Sequence, residues 1–277
     1  MGEVLSYGFM QRALAAAVAV SVLCSVMSVF VVLKRMSFIG VGISHAAFGG
    51  VAAGLLLGVN PTLAAIVFCL GAAWAIGAIS RKGVIHEDAI IGIFFAAAMA
   101  LGVVLIGFLR GYQADVFGYL FGNILAVDWS DLWVILGLTV GVLAVVALLG
   151  KELVFLCFDE EMALVSGLPV GVLYYVLLAL VALTVVVSIK IVGIVLVSAL
   201  LVIPGATGLQ IAGDHRRMFL VSVSVGLASA VVGLALSYWL NAASGATIVL
   251  TGTVIFLGAL GLSALRRRAG SRVLPRK

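Results

Sequence analysis

The chain reads as an all-α, polytopic membrane bundle of eight to nine spanning helices. Three observations predict this. Its 277 residues are 65% hydrophobic and only 10% charged, and the mean hydropathy of +1.35 exceeds what one soluble core can hide, so a bilayer must act as solvent. Runs of about 20 apolar residues, enough for a helix to cross ~30 Å of hydrocarbon, recur along the length. Between them there is no stretch long and polar enough for a separate soluble domain, so residues 1–277 form a single membrane domain.

Nine apolar segments follow in order, at 9–33, 38–58, 62–80, 90–109, 131–149, 170–188, 191–211, 218–240 and 246–265. The first is longer than the apolar core of a signal peptide and has no small-residue cleavage site after it, so it is expected to be a retained span. In the second, small residues such as Gly49, Gly50 and Gly54 allow close helix packing. The seventh holds Pro204 in LLVIPGATG, with Gly205 and Gly208 behind it. Proline removes a backbone hydrogen bond, so this segment should kink or break, placing Pro204 beside a translocation path or at a helix contact.

Lys and Arg set the expected orientation. Lys34, Arg35, Arg81, Lys82, Lys151, Arg216, Arg217 and the cations of the tail at 266–277 follow odd-numbered segments, against Arg12, Arg110 and Lys190 on the other side. Excess cations mark the cytoplasmic face, which puts the N-terminus outside and the C-terminus inside. The net charge of +5 then reports topology. The 266–277 tail is expected to be a basic cytoplasmic anchor to the inner leaflet, not a nucleic-acid contact.

Two connections carry more than turns. Residues 114–133 are expected at the outer surface, with a short helix near 117–125, and Asp115, Asp128 and Asp131 at the outer mouth, either concentrating cations or simply solvated. The amphipathic stretch 151–169 is expected in the cytoplasm: Asp159, Glu160 and Glu161 open a short helix that Gly167 and Pro169 close. Such a helix between two spans has the form of a force-receiving segment, or of an ordinary interfacial loop.

Chemistry is sparse. Gly150-Lys151 is followed by Glu152, and no phosphate loop, H-E-x-x-H helix or G-x-S-x-G elbow occurs, so no ATP hydrolysis or other enzymatic activity is expected of this chain and no permanently bound cofactor is implied. Cys24, Cys69 and Cys157 are scattered and are expected to be packing residues. His45, preceded by Ser44, is the one histidine inside an apolar segment. An ionisable group at membrane depth is a functional candidate, and imidazole is a common transition-metal ligand, though a hydrogen-bonded packing histidine fits as well. Lys190 is expected to snorkel to the interface or to gate.

Taken together, MSFIGVGISHAAFGGVAAGLLLG (36–58), HEDAIIGIFFA (86–96), GYLFGNIL (118–125), FDEEMALVSGLP (158–169), IKIVGIVLVSALLVIPGATG (189–208) and GATIVLTGTVIF (245–256) resemble, in order, blocks of the zinc/manganese ABC permease family. The resemblance implies a permease in the prokaryotic plasma membrane, paired with a second permease subunit, a cytoplasmic ATP-binding subunit and an extracytoplasmic metal-binding protein. It implies uptake of zinc or manganese by ATP-driven alternating access. His45, with Ser44 and Pro204, would lie on the path, and Asp159, Glu160, Glu161 and Met162 would form the ATPase-coupling segment. Family members often carry Asp one helical turn before this histidine; this chain has Val41, which removes a hard ligand. A permease for a metal chelate such as a siderophore or cobalamin is the alternative, followed by a stand-alone secondary transporter or channel and, last, an intramembrane enzyme.

Overall fold

A computed structural model describes residues 8–83, 85–108, 118, 122, 124 and 127–271, with backbone alone beyond 263. Eleven helices follow one another among them: α1 (Gly8–Leu33), α2 (Ile39–Leu57), α3 (Pro61–Ser80), α4 (Glu87–Phe108), α5 (Trp129–Phe158), α6 (Glu160–Val165), α7 (Val170–Val192), α8 (Ile194–Leu200), α9 (Ile203–Ile211), α10 (His215–Leu240) and α11 (Ser244–Ser271). With α8 and α9 taken as one span, nine stretches among the described residues are long and apolar enough to cross a membrane. In lipid every backbone polar group must be satisfied within the segment, which is why most of the described residues are helical.

The helix ends follow from local chemistry. Asn60 caps α3, its Oδ1 accepting from the backbone N–H of Thr62 at 2.9 Å, and Pro61 occupies the first turn, where its missing N–H needs no partner. Asp128, Asp159 and Asp214 cap α5, α6 and α10 through the backbone N–H of Asp131, Met162 and Arg217. Gly58 closes α2 in the left-handed region at φ 66°.

The packing divides into two groups bridged by α7 and α8. On one side α2 lies against α3 and α4; on the other α1, α9, α10 and α11 pack together, and α5 leans on α1 and α7. Small residues set the spacing. A Cβ on Gly50 would fall 2.8 Å from the Cα of Ala65, and one on Gly205 would fall 2.4 Å from the carbonyl oxygen of Ser28, so both are positions where bare backbones meet. Cys24, Cys69 and Cys157 are buried among these contacts.

Two segments differ in extent from the sequence expectation. Helix α5 does not end near residue 149; it runs on to Phe158, because nothing from 151 to 158 breaks a helix, so only Glu160–Val165 forms the separate short helix. Segment seven is two half-helices. The chain breaks at Leu201 and Val202, and Pro204 becomes the second residue of α9, where a proline is tolerated, instead of a mid-helix kink. The short helix expected near 117–125 lies mostly outside the described residues.

Candidate functional site

His45 sits on α2 six residues after its first residue, about 9 Å along the axis, and its side chain is half-buried. Its Nδ1 lies 2.9 Å from the carbonyl oxygen of Val41. A carbonyl only accepts, so Nδ1 carries the proton, and in the neutral form of the ring the lone pair is then on Nε2. The Ser44 hydroxyl donates to the same carbonyl at 3.0 Å and stands 3.3 Å from Nδ1. Phe95 of α4 meets the imidazole edge to face, centroids 4.4 Å apart. The ring is therefore oriented from one side and confined from another, the arrangement seen when a second contact fixes the tautomer of a ligating histidine. Val41 contributes its backbone oxygen but no side-chain ligand. Among the described residues no three His, Cys, Asp or Glu side chains cluster around a common point.

The broken seventh span touches the same helix. A Cβ on Gly40 would lie 3.1 Å from Cδ1 of Leu201, so the break rests on α2 five residues before His45. Pro204 is buried one turn further on, and α9 continues along α1, α10 and α11. The contact of Gly40 with Leu201 thus brings the break against the helix that carries His45, a link no sequence pattern announces.

Around the end of α1 a second constellation forms. Lys34 Nζ donates to Glu160 Oε2 on α6 at 2.6 Å. The Tyr174 hydroxyl of α7 donates to Glu87 Oε1 of α4 at 3.5 Å, and the Arg81 guanidinium lies over the Tyr174 ring at 5.6 Å. Five residues thereby gather α1, the end of α3, α4, α6 and α7. Beyond Glu160, α6 buries Ala163 and exposes Glu161, Met162, Leu164 and Val165, a protruding face of mixed apolar and acidic character. Of these residues, sequence reasoning placed Glu160, Glu161 and Met162 in the coupling segment and used Lys34 and Arg81 only as markers of orientation; it gave no role to Glu87 or Tyr174.

At the opposite end Asp131 pairs with Lys190 of α7, and Arg12 donates from Nε to the carbonyl of Val127 at 3.1 Å while covering Trp129. Asp128 is fully engaged in capping: the Asp131 N–H and the Ser130 hydroxyl hold its carboxyl below the usual carboxylate range. Asp115 lies outside the described residues.

This bundle of nine membrane-length spans, with a confined histidine at its second helix and a broken seventh, matches known proteins over nearly its whole length. The model of the ABC 3 transport family matches residues 6–263, and the chain belongs to that family. It is 39% identical over 254 residues to the manganese transport system membrane protein MntC of Halalkalibacterium halodurans, covering 92% of this chain and 87% of that one. It is 35% identical over 260 residues to the chelated iron transport system membrane protein YfeD of Yersinia pestis, with 94% and 87% covered. Among solved structures it resembles PsaBC from Streptococcus pneumoniae in complex with Fab, at a TM-score of 0.84 and 36% identity, with 93% of each chain covered.

Proposed function

We propose that this chain is the membrane permease subunit of an ABC importer for a divalent transition metal, manganese or zinc, with His45 on the translocation path. The observation that carries the reading is the imidazole itself: half-buried at membrane depth, fixed through Nδ1 to the Val41 carbonyl, and left with Nε2 as a metal-binding lone pair. The manganese cargo of MntC, at 39% identity over most of both chains, supports the same class of substrate. One imidazole is a transit contact, and a weak one suits an ion that must also leave.

ATP hydrolysis belongs to a separate cytoplasmic subunit docked on α6. Asp159 caps that helix, Glu161 and Met162 face the partner, and Glu160 ties the helix to Lys34 at the end of α1. Motion of α6 then reaches the bundle through Lys34, while Leu201 against Gly40 lets the two halves of span seven shift beside the histidine helix. The N-terminus is outside and the C-terminus cytoplasmic, a metal-binding protein delivers cargo to the end bearing Asp128 and Asp131, and a second permease copy completes the path.

His45→Ala tests this reading. Radiolabelled manganese and zinc uptake should be lost while co-purification with the ATPase is retained; undiminished uptake removes His45 from the path. A second reading, cargo delivered as a chelate, is favoured by Val41 at the position where a carboxylate would harden the site, and by the likeness to YfeD. Uptake of free metal against chelated metal separates the two, as does the cellular content of zinc, manganese, iron, cobalt and nickel with and without the permease.

A further inference from the structure

Helices α5 and α10 both lean on α1, and where α1 and α5 finish and α10 begins they leave a cavity of about 580 Å³ on the flank of the bundle. Its floor is Phe30, fully buried and edge-on to Phe219 at 5.3 Å between centroids. The α5 wall is Val146, Ala147 and Gly150 on one side of Lys151 and Val154, Phe155 and Phe158 on the other. Nothing lies within 4 Å of where a Gly150 side chain would begin, so the missing side chain is what keeps the slot open.

The rim is different in kind. Lys151 and His215 line it, both are exposed, and Arg216 follows at once. Among the described residues no carboxylate pairs with Lys151, His215 or Arg216. The flank cavity at the other end, about 290 Å³ between α3 and α5, also has a lysine at its edge, but there Lys190 is neutralised by Asp131. Of these two, the first joins an apolar slot to cations, Lys151 and Arg216, that make no ion pair among the described residues, with Asp214 acting on His215 from the preceding position.

Depth agrees with the chemistry. Exposed Trp129 and Trp133 mark one membrane boundary on α5. Lys151 is 22 residues beyond Trp129, about 33 Å along the helix, which brings it to the opposite headgroup layer. The part of the slot from Gly150 to Val146 then lies at acyl-chain depth, and Val154, Phe155 and Phe158 carry it past the headgroup layer.

We propose that this groove is a binding site for an anionic phospholipid, with one acyl chain along Phe219 and Gly150 and the headgroup phosphate held by Lys151 and His215. Water in an aromatic-lined slot would find few partners, whereas a chain fills it and the rim selects negative charge. The lipid braces the last turns of α5, which lead directly into α6.

The test uses the full permease with its co-purified ATPase, reconstituted in phosphatidylethanolamine with or without phosphatidylglycerol and read by native mass spectrometry. Wild type should retain phosphatidylglycerol in preference to phosphatidylethanolamine. Lys151→Gln with His215→Gln, two exposed positions that leave the fold intact, should weaken that preference about five- to tenfold. Gly150→Phe should expel the bound lipid by filling the slot, and Gly150→Leu serves if the larger ring impairs folding. No preference in wild type, or equal retention by the charge and slot variants, overturns the proposal. So does a slot variant that keeps its lipid but loses the ATPase, which would assign the groove to a protein partner.

Discussion

At one end of the bundle Lys34 reaches Glu160 on a six-residue helix; at the other Lys190 reaches Asp131 at the start of a long span. The pairs are chemically alike and mechanically unlike. Lys190 and Asp131 stand on α7 and α5, spanning helices already packed side by side, so their pairing staples what apolar contact holds. The Lys34 side chain is 16% exposed and Glu160 41%, and their bond joins the bundle to an element with little packing of its own. Around it Tyr174, Glu87 and Arg81 extend the connection to α3, α4 and α7. On the proposed reading the Lys190–Asp131 end holds and the Lys34–Glu160 end is pulled.

The strongest challenge to that contrast is charge reversal on α6. Glu160→Lys with Glu161→Lys places like charge beside Lys34 and on the face proposed to dock the ATPase, and ATPase co-purification with metal uptake should fall at least about tenfold, the equivalent of about 1.4 kcal/mol. Next in size is Gly205→Leu. Its Cβ would collide with a backbone carbonyl that cannot rotate away, so thermal stability in detergent should drop by about 1–3 kcal/mol.

Neutralising one lysine at each end then separates holding from pulling. Lys190→Met should lower stability by about 0.5–1 kcal/mol, with uptake per folded molecule unchanged. Lys34→Met should uncouple ATP hydrolysis from uptake with a comparable or smaller change in melting. Equal effects on both readouts from both variants would erase the distinction.

The smallest effect concerns Asp128. Its folded pKa is depressed by hydrogen bonds it loses on unfolding, so its capping is present above the ordinary carboxylate pKa and fades as pH falls through the lower folded value. Hydrogen exchange at the start of α5 should quicken over that acid range, and Asp128→Ala should exchange fast at every pH.

Much of this was legible in one dimension. Spans are announced by length and hydropathy, because a bilayer imposes both on any helix that crosses it. The cap at Asp159 and the break near Pro204 are local, set by residues a few positions apart. His45 stood out because an ionisable group in an apolar segment is rare. The continuation of α5 to Phe158 was missed because Gly150-Lys151-Glu152 reads as a polar boundary, although no residue there stops a helix.

What the residues determined alone was membrane residence, a bundle of eight to nine spans, and the place of the one intramembrane histidine, all consequences of forces acting within a single helix. Only the tertiary structure decided that Lys34 meets Glu160 across 126 positions, that Lys190 meets Asp131 across 59, and that Leu201 rests on Gly40. Such pairs depend on which helices become neighbours, and in lipid that choice rests on small-residue packing and shape, which hydropathy does not encode.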